Sequence, residues 1–216
     1  MSLLEGPARQ NLISRVQGMI MRPAQEWDVV EGESATVQGL FAGYVCILSA
    51  IIPIMSIIVG LFAISVVSAI GWYSPFARLG PTALIGGAVI NYAQALVTTF
   101  AVGLVVDALA PSFDGQASRI QGMKVAAYAW TAAWVSGVAL IVPFLGAIII
   151  LIAVIYSLYT FWIGAPKLMK VPAEKATGFS LVSLIAAIVV AIVIGLVLGA
   201  IKAMLFVGSM IGGGLL

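Results

Sequence analysis

Long uncharged stretches alternate with short polar segments along the chain. No charged side chain occurs in residues 39–76, 82–106, 125–166 or 176–201. Each stretch is long enough to cross a bilayer, since ~20 apolar residues span the hydrocarbon core. The pattern therefore predicts transmembrane helices.

The stretch 125–166 is too long for a single crossing. As one helix its 42 residues would reach ~63 Å, about twice the membrane core. It must turn back, and Val142-Pro143-Phe144-Leu145-Gly146 is the natural place for a hairpin. The sequence thus predicts an all-α polytopic membrane bundle with five transmembrane helices. The expected spans are residues 40–64, 82–109, 125–141, 144–164 and 180–201, and Pro53 should kink the first.

Residues 1–36 form an expected cytoplasmic segment before the transmembrane domain, residues 37–216. This segment contains a predicted short amphipathic helix, with Leu12, Ile13, Val16, Met19 and Ile20 on one side and the interfacial cations Arg9, Arg15 and Arg22 towards the other. The helix could lie in the headgroup layer, attracted by anionic lipid, or could pack on loops of its own protein.

The entry into the first span is acidic and contains a tryptophan. Trp27 is expected to anchor the chain at the membrane interface. Around it, the carboxylates are expected to sit in a solvated entry segment without fixed metal-ligand spacing; they are Glu26, Asp28, Glu31 and Glu33.

The distribution of cations orients the helices. Eight of the ten Lys and Arg residues lie in the N-terminal segment and in the loops after spans two and four, whereas Arg78 and Lys202 lie on the other face. The positive-inside rule then predicts a cytoplasmic N-terminus and, with five spans, a periplasmic C-terminus.

Composition excludes several functional classes. The chain is 62% hydrophobic and 8% charged, with a net charge of only +2, which gives no surface for nucleic acid. It has no histidine, so zinc sites of the usual kind and Ser-His-Asp triads are not expected. Its single cysteine, Cys46, cannot form an intrachain disulfide. We therefore expect no catalytic site, no cofactor site and no metal site.

A stripe of small and polar residues runs down the second span. Gly87, Asn91, Ala95, Thr99, Gly103 and Asp107 recur every four residues, with Gln94 and Thr98 beside them. Polar groups in hydrocarbon need partners, so the stripe should face the bundle interior. It is either a polar pathway or, as we favour, a face that bonds neighbouring helices.

The fifth span carries a similar ridge of small residues, including Gly195 and Gly199 at a spacing of four. Such a ridge permits close helix packing. We expect its partner to be another helix of the same chain, with a second copy as the alternative.

Several of these features together resemble the bacterial branch of the Yip1 family. The matching positions are the segment Pro23-Ala24-Gln25-Glu26-Trp27 followed by Glu31 or Glu33, Pro53 in the first span, Tyr128 in the third, the Pro143-Phe144-Leu145-Gly146 hairpin and the stretch from Tyr156 to Gly164. The resemblance implies five spans, a cytoplasmic N-terminus, an inner-membrane location and no enzymatic activity. The short acidic-aromatic motif of eukaryotic members, Asp-Leu-Tyr-Gly-Pro, is missing, which argues against their GTPase partnership.

Two functional hypotheses follow. The first is a membrane-embedded interaction or organising protein, with the lipid bilayer and another integral membrane protein or a second copy of itself as partners. The alternative is a small transporter or channel that uses the polar face of the second span. A membrane enzyme is a distant third, because no cluster of acid, base and nucleophile is visible.

Overall fold

The computed structural model describes residues 8–69, 80–142 and 144–212. All regular structure within these ranges is helical. Five stretches are long and apolar enough to cross a membrane, which confirms the predicted all-α class with five spans. They are residues 37–66, 83–113, 119–141, 145–168 and 173–204.

Two short helices, α1 (Ala8–Met21) and α2 (Pro23–Gly32), precede the first span. We call them together the arm. The arm does not stand apart from the bundle, because Met19, Trp27 and Val30 are buried in the common core. Of the two expectations for the amphipathic helix, packing of its inward side on the same protein is the one observed.

The first span is a broken helix. It consists of α3 (Val37–Leu40), a π-helical segment (Phe41–Val45), α4 (Cys46–Ser49) and α5 (Ile51–Ala69). The break at Ala50 follows from Pro53, which has no N–H to donate to the carbonyl four residues earlier. The span is thus longer than residues 40–64 and is interrupted where Pro53 was expected to kink it.

The second and third spans pack closely together. Helix α6 (Gly80–Leu109) is the second span, and α7 (Arg119–Ala129), α8 (Thr131–Val135) and a 3₁₀ segment (Ser136–Ile141) form the third. The third span begins at Arg119 rather than at residue 125, since its first turns are buried against the arm and α6. It is the most buried of the five spans and therefore occupies the centre of the bundle.

The chain turns back after Ile141, as the hairpin prediction required. Val142 is extended, Phe144 has a φ of 63° and is 90% exposed, and α9 (Leu145–Leu168) then returns along the third span. Pro143 lies outside the described residues.

The last helix, α10 (Ala173–Gly212), has 40 residues. It does not end at Lys202, as the expected span 180–201 implied, because the residues that follow are apolar helix formers without a proline. Phe179 of α10 packs edge-on against Phe113, with ring centroids 5.6 Å apart.

Candidate functional site at the junction of the arm and the bundle

Charged and aromatic side chains meet where the arm contacts spans one and three. We call this place the junction. Arg15 of α1 reaches the carboxylates of Glu26, at 2.5 Å, and of Glu33. The guanidinium also lies over the Tyr128 ring, 5.5 Å from its centroid, at a distance typical of a cation–π contact. One buried cation thus joins both arm helices to the third span.

The expectation that Arg15 faces lipid headgroups is therefore wrong. Arg15 is only 9% exposed to solvent. The helical spacing explains this outcome, since Arg15 follows Leu12 by three residues and precedes Met19 by four, which puts all three on one face. Arg22 is exposed, so its interfacial position stays a prediction, and the side chain of Arg9 lies outside the described part of the chain.

The acidic segment is likewise more ordered than expected. Glu26 and Glu33 pair with Arg15, and Asp28 pairs with Lys167 at the end of α9. Glu31 accepts a hydrogen bond at its backbone carbonyl from the Gln121 side chain, at 3.2 Å. Glu26 and Glu33 thus join the two arm helices to each other through Arg15, whereas Asp28 and the Glu31 carbonyl join the arm to the bundle. Within the described residues no group of three Asp, Glu, Cys or His side chains could hold a metal ion.

Trp27 is not an interfacial anchor, contrary to the expectation. Its side chain is fully buried, and its indole N–H donates to the carbonyl of Thr160 in α9 at 3.1 Å. The ring packs directly on Gly164, where an added Cβ would lie 2.3 Å from the ring carbon Cε2. Trp27 is buried and not interfacial because its N–H has a hydrogen-bond acceptor and its apolar ring has packing partners inside the protein.

Lys124, which the sequence analysis did not single out as a site residue, closes the end of α2. Its Nζ donates to the carbonyls of Val30 at 2.8 Å and Glu33 at 2.5 Å, and the residue is 1% exposed. Val30 lies in the last turn of α2 and Glu33 follows its last residue, at the helix end where backbone acceptors commonly lack intrahelical partners and the helix dipole favours a cation. The sequence feature that could have indicated Lys124 is its position, directly before the uncharged stretch that begins at residue 125.

A chain of hydroxyl groups continues from the junction into the bundle. Thr131 donates to the carbonyl of Tyr128 at 2.6 Å, so the Tyr44 hydroxyl, 2.6 Å from Thr131 Oγ1, is the donor in that second bond. The Tyr44 and Tyr128 rings meet edge-on with centroids 4.7 Å apart. Tyr44 belongs to the π-helical segment, a distortion that occurs often at functional sites.

A pocket of about 570 Å³ opens beside these residues. Its walls come from α1, the loop after α2, the start of span one and Tyr128. The polar lining residues are Arg15, Glu33, Ser34, Thr36, Tyr44 and Tyr128. Since Glu33, the carboxylate among these lining residues, is paired with Arg15, the arrangement suits binding of a polar group more than proton transfer.

The stripe of the second span is only partly turned inward. Gly87, Thr99 and Gly103 are buried and Gln94, Thr98 and Asp107 are partly buried, but Asn91 is exposed. Asn91 therefore departs from the expectation that the stripe faces neighbouring helices. Thr98 Oγ1 and Asp107 Oδ1 are buried without a hydrogen-bond partner among the described residues.

The small residues pack as follows. Gly103 meets α7 closely, since a Cβ there would lie 2.5 Å from Met123 Sδ. In α10, a Cβ on Gly195 would lie 3.3 Å from Gln94 Nε2 of the second span, whereas Gly199 faces open space. Gly195 thus packs within the chain, as expected, and Gly199 does not.

A helical bundle of this length and apolarity defines a polytopic membrane protein. A family model described as the Yip1 domain matches residues 18–196, which include α2 and most of the five spans. The chain therefore belongs to the Yip1 family, and the resemblance drawn from Pro23–Trp27 and the hairpin is confirmed.

Two curated relatives extend this comparison. The inner membrane protein YohC of Escherichia coli K12 is 23% identical over 180 residues, covering 80% of this chain and 87% of the relative. The protein of the same name from Escherichia coli O6:H1 matches to the same extent. No solved structure matches the chain.

Proposed function

We propose that the protein is a non-catalytic organising protein of the bacterial inner membrane, which binds a lipid or another integral membrane protein through its arm. Membership of the Yip1 family supports a location in a membrane, and the name of the YohC relatives, inner membrane protein, supports the bacterial inner membrane. The eight-to-two distribution of cations supports a cytoplasmic arm and a periplasmic C-terminus.

The main observation in support is that α1 is held firmly to the bundle and exposes apolar side chains on its outer side. Ile13, Ile20 and Met21 are 67%, 38% and 77% exposed, and their spacing puts them on one side of α1, together with the exposed Gln17. On the inner side, Arg15 and Met19 hold α1 to the bundle. An apolar stripe that is already fixed in position loses little conformational entropy when it binds, which favours association.

The hold on α1 extends to its last turn. The Tyr156 hydroxyl of α9 donates to the carbonyl of Ile20 at 2.7 Å, next to the exposed Met21. The end of α1 is thereby fixed relative to the fourth span, so a partner bound at Ile20 and Met21 would also be fixed relative to the bundle.

The alternative of a transporter receives less support from the second span. Thr98 lines an apolar crevice of about 260 Å³, whereas Asn91 lines a separate crevice. Asn91 and Thr98 therefore contribute to two spaces and not to one polar path. This favours an organising role over transport through the face of α6.

Photo-crosslinking in cells tests the proposal. A photoreactive residue at Ile13 or Met21 should yield a discrete adduct with a protein or a lipid, identified by mass spectrometry. Phe144 is the matched control, because it is apolar and exposed but lies at the hairpin. Adducts from the arm that are no more specific than those from Phe144 would contradict the proposal.

A further inference from the structure

A second crevice lies between spans one, two and five, away from the junction. Its volume is about 320 Å³. Small residues form most of its apolar lining, which is why a groove remains between three helices. The lining residues that matter here are Gly60, Ala63, Ala83 and Gly87, with Asn91 and Lys202 as its polar edge.

Two polar side chains of the crevice, Lys202 and Asn91, have no polar partner among the residues that the structure describes. Neither has a hydrogen bond or ion pair with any residue that the structure describes. The sequence shows why the cation stays unpaired: no Asp or Glu occurs between Glu33 and Asp107, and none follows Glu174. Every acidic side chain that the structure describes belongs to a segment at the arm's end of the bundle. The described residues therefore offer Lys202 no acidic counter-ion, which leaves this charge for a ligand.

The depth of Lys202 matches a layer of lipid phosphates. Lys175, near the start of α10, and Lys202 are separated by about 40 Å along that helix at ~1.5 Å per residue. A bilayer measures about 40–45 Å including its headgroup regions. With Lys175 at the headgroup layer beside the arm, Lys202 reaches the opposite headgroup layer, and the small-residue groove extends from that layer towards the acyl chains.

We propose that this crevice binds an anionic phospholipid of the leaflet opposite the arm. The phosphate is held by the Lys202 ammonium, and the glycerol backbone lies against Ala63 and Gly87. The Asn91 amide, about one helical turn deeper than Gly87, donates to an ester carbonyl above the acyl chain. The charge of Lys202 favours an anionic headgroup. The groove holds the lipid in one place, which a smooth helix surface would not do. The proposal does not depend on the function proposed for the arm, since the two surfaces lie at opposite ends of the bundle.

Lipid titration of the purified full-length protein tests this site. Native mass spectrometry would follow binding of phosphatidylglycerol and, in parallel, phosphatidylcholine. We expect phosphatidylglycerol to bind at least about tenfold more tightly, and Lys202→Gln to remove that preference, since a charge-assisted hydrogen bond is commonly worth about a factor of ten or more. Lys202→Arg should preserve it.

Two further variants keep the test decisive. Arg119→Gln removes an equal charge from an exposed position at the start of α7 and should leave the preference unchanged. Ala63→Phe, at an exposed position that lines the crevice, should weaken binding by filling the groove, whereas Leu61→Phe on the same helix should not. Equal binding of the two lipids, unchanged preference in Lys202→Gln, or an equal effect of Arg119→Gln would each overturn the proposal. Competition by inorganic phosphate alone would show that the groove plays no part.

Discussion

The Nζ of Lys124 donates to the carbonyl of Val30 at 2.8 Å, although the two residues are 94 positions apart. A side chain at the start of the third span thus closes the last turn of the second arm helix. This bond, with the contact of Arg15 with the Tyr128 ring and the bond of Trp27 to Thr160, makes the arm a part of the bundle.

Replacing Lys124 should release the arm. Lys124→Met keeps most of the volume but leaves the carbonyls of Val30 and Glu33 without their donor, which should lower the free energy of unfolding by about 3 kcal/mol, since buried hydrogen bonds to a charged group contribute roughly 1.5–3 each. Thermal unfolding in detergent would report the loss of stability, and trypsin cleavage after Arg15, which is buried while the arm is held, would report its release. Lys175→Met is the control, because its pair with Asp114 is exposed and should contribute less than about 1 kcal/mol.

The two carboxylates on Arg15 should differ in importance. The Glu26 side chain is 20% exposed and that of Glu33 is 41% exposed, so solvent screens the second pair more. We expect Glu26→Gln to destabilise the protein by about 2 kcal/mol, below the 3–5 typical of fully buried pairs, and Glu33→Gln by less than about 1. Chemical denaturation of the two variants beside Arg22→Gln would measure this order; the reverse order would show that burial does not govern the network.

Gly164 should be intolerant of any side chain. In Gly164→Ala the new Cβ would lie 2.3 Å from the Trp27 ring, so the indole must move and its bond to Thr160 must lengthen. We expect a loss of about 2 kcal/mol or more, in the range of overpacked cores, together with a red shift of the total tryptophan fluorescence, to which Trp27 is one of five contributors. Gly199→Ala adds the same methyl group in α10 where nothing lies within 4 Å, and it should leave both readouts unchanged.

Cysteine labelling should place the arm and the hairpin on opposite sides of the membrane. In a Cys46→Ser background, Met21→Cys should react with an impermeant reagent only after the cells are opened, while Phe144→Cys should react in intact cells. Both positions are well exposed, at 77% and 90%, so accessibility and not burial decides the result. Reaction of both in intact cells would contradict the orientation derived from the cations.

The sequence by itself determined the five spans and the hairpin. Uncharged stretches of a length close to the bilayer allow few other structures, because backbone groups in hydrocarbon must be satisfied within a helix. The same logic predicted the break near Pro53 and the turn before Leu145. These features depend on local composition and on length, both of which can be read along the chain.

Only the tertiary structure decided what the charged residues do. Arg15, Trp27 and Glu33 look like parts of a solvated, interfacial segment when read in order, yet they meet Tyr128, Thr160 and Lys124, which come more than 90 residues later. Asn91 shares a small-and-polar stripe with Thr99, yet one is exposed and the other buried. The pairing of distant helices determines which side of each helix is covered, and a periodicity within one helix does not contain that information.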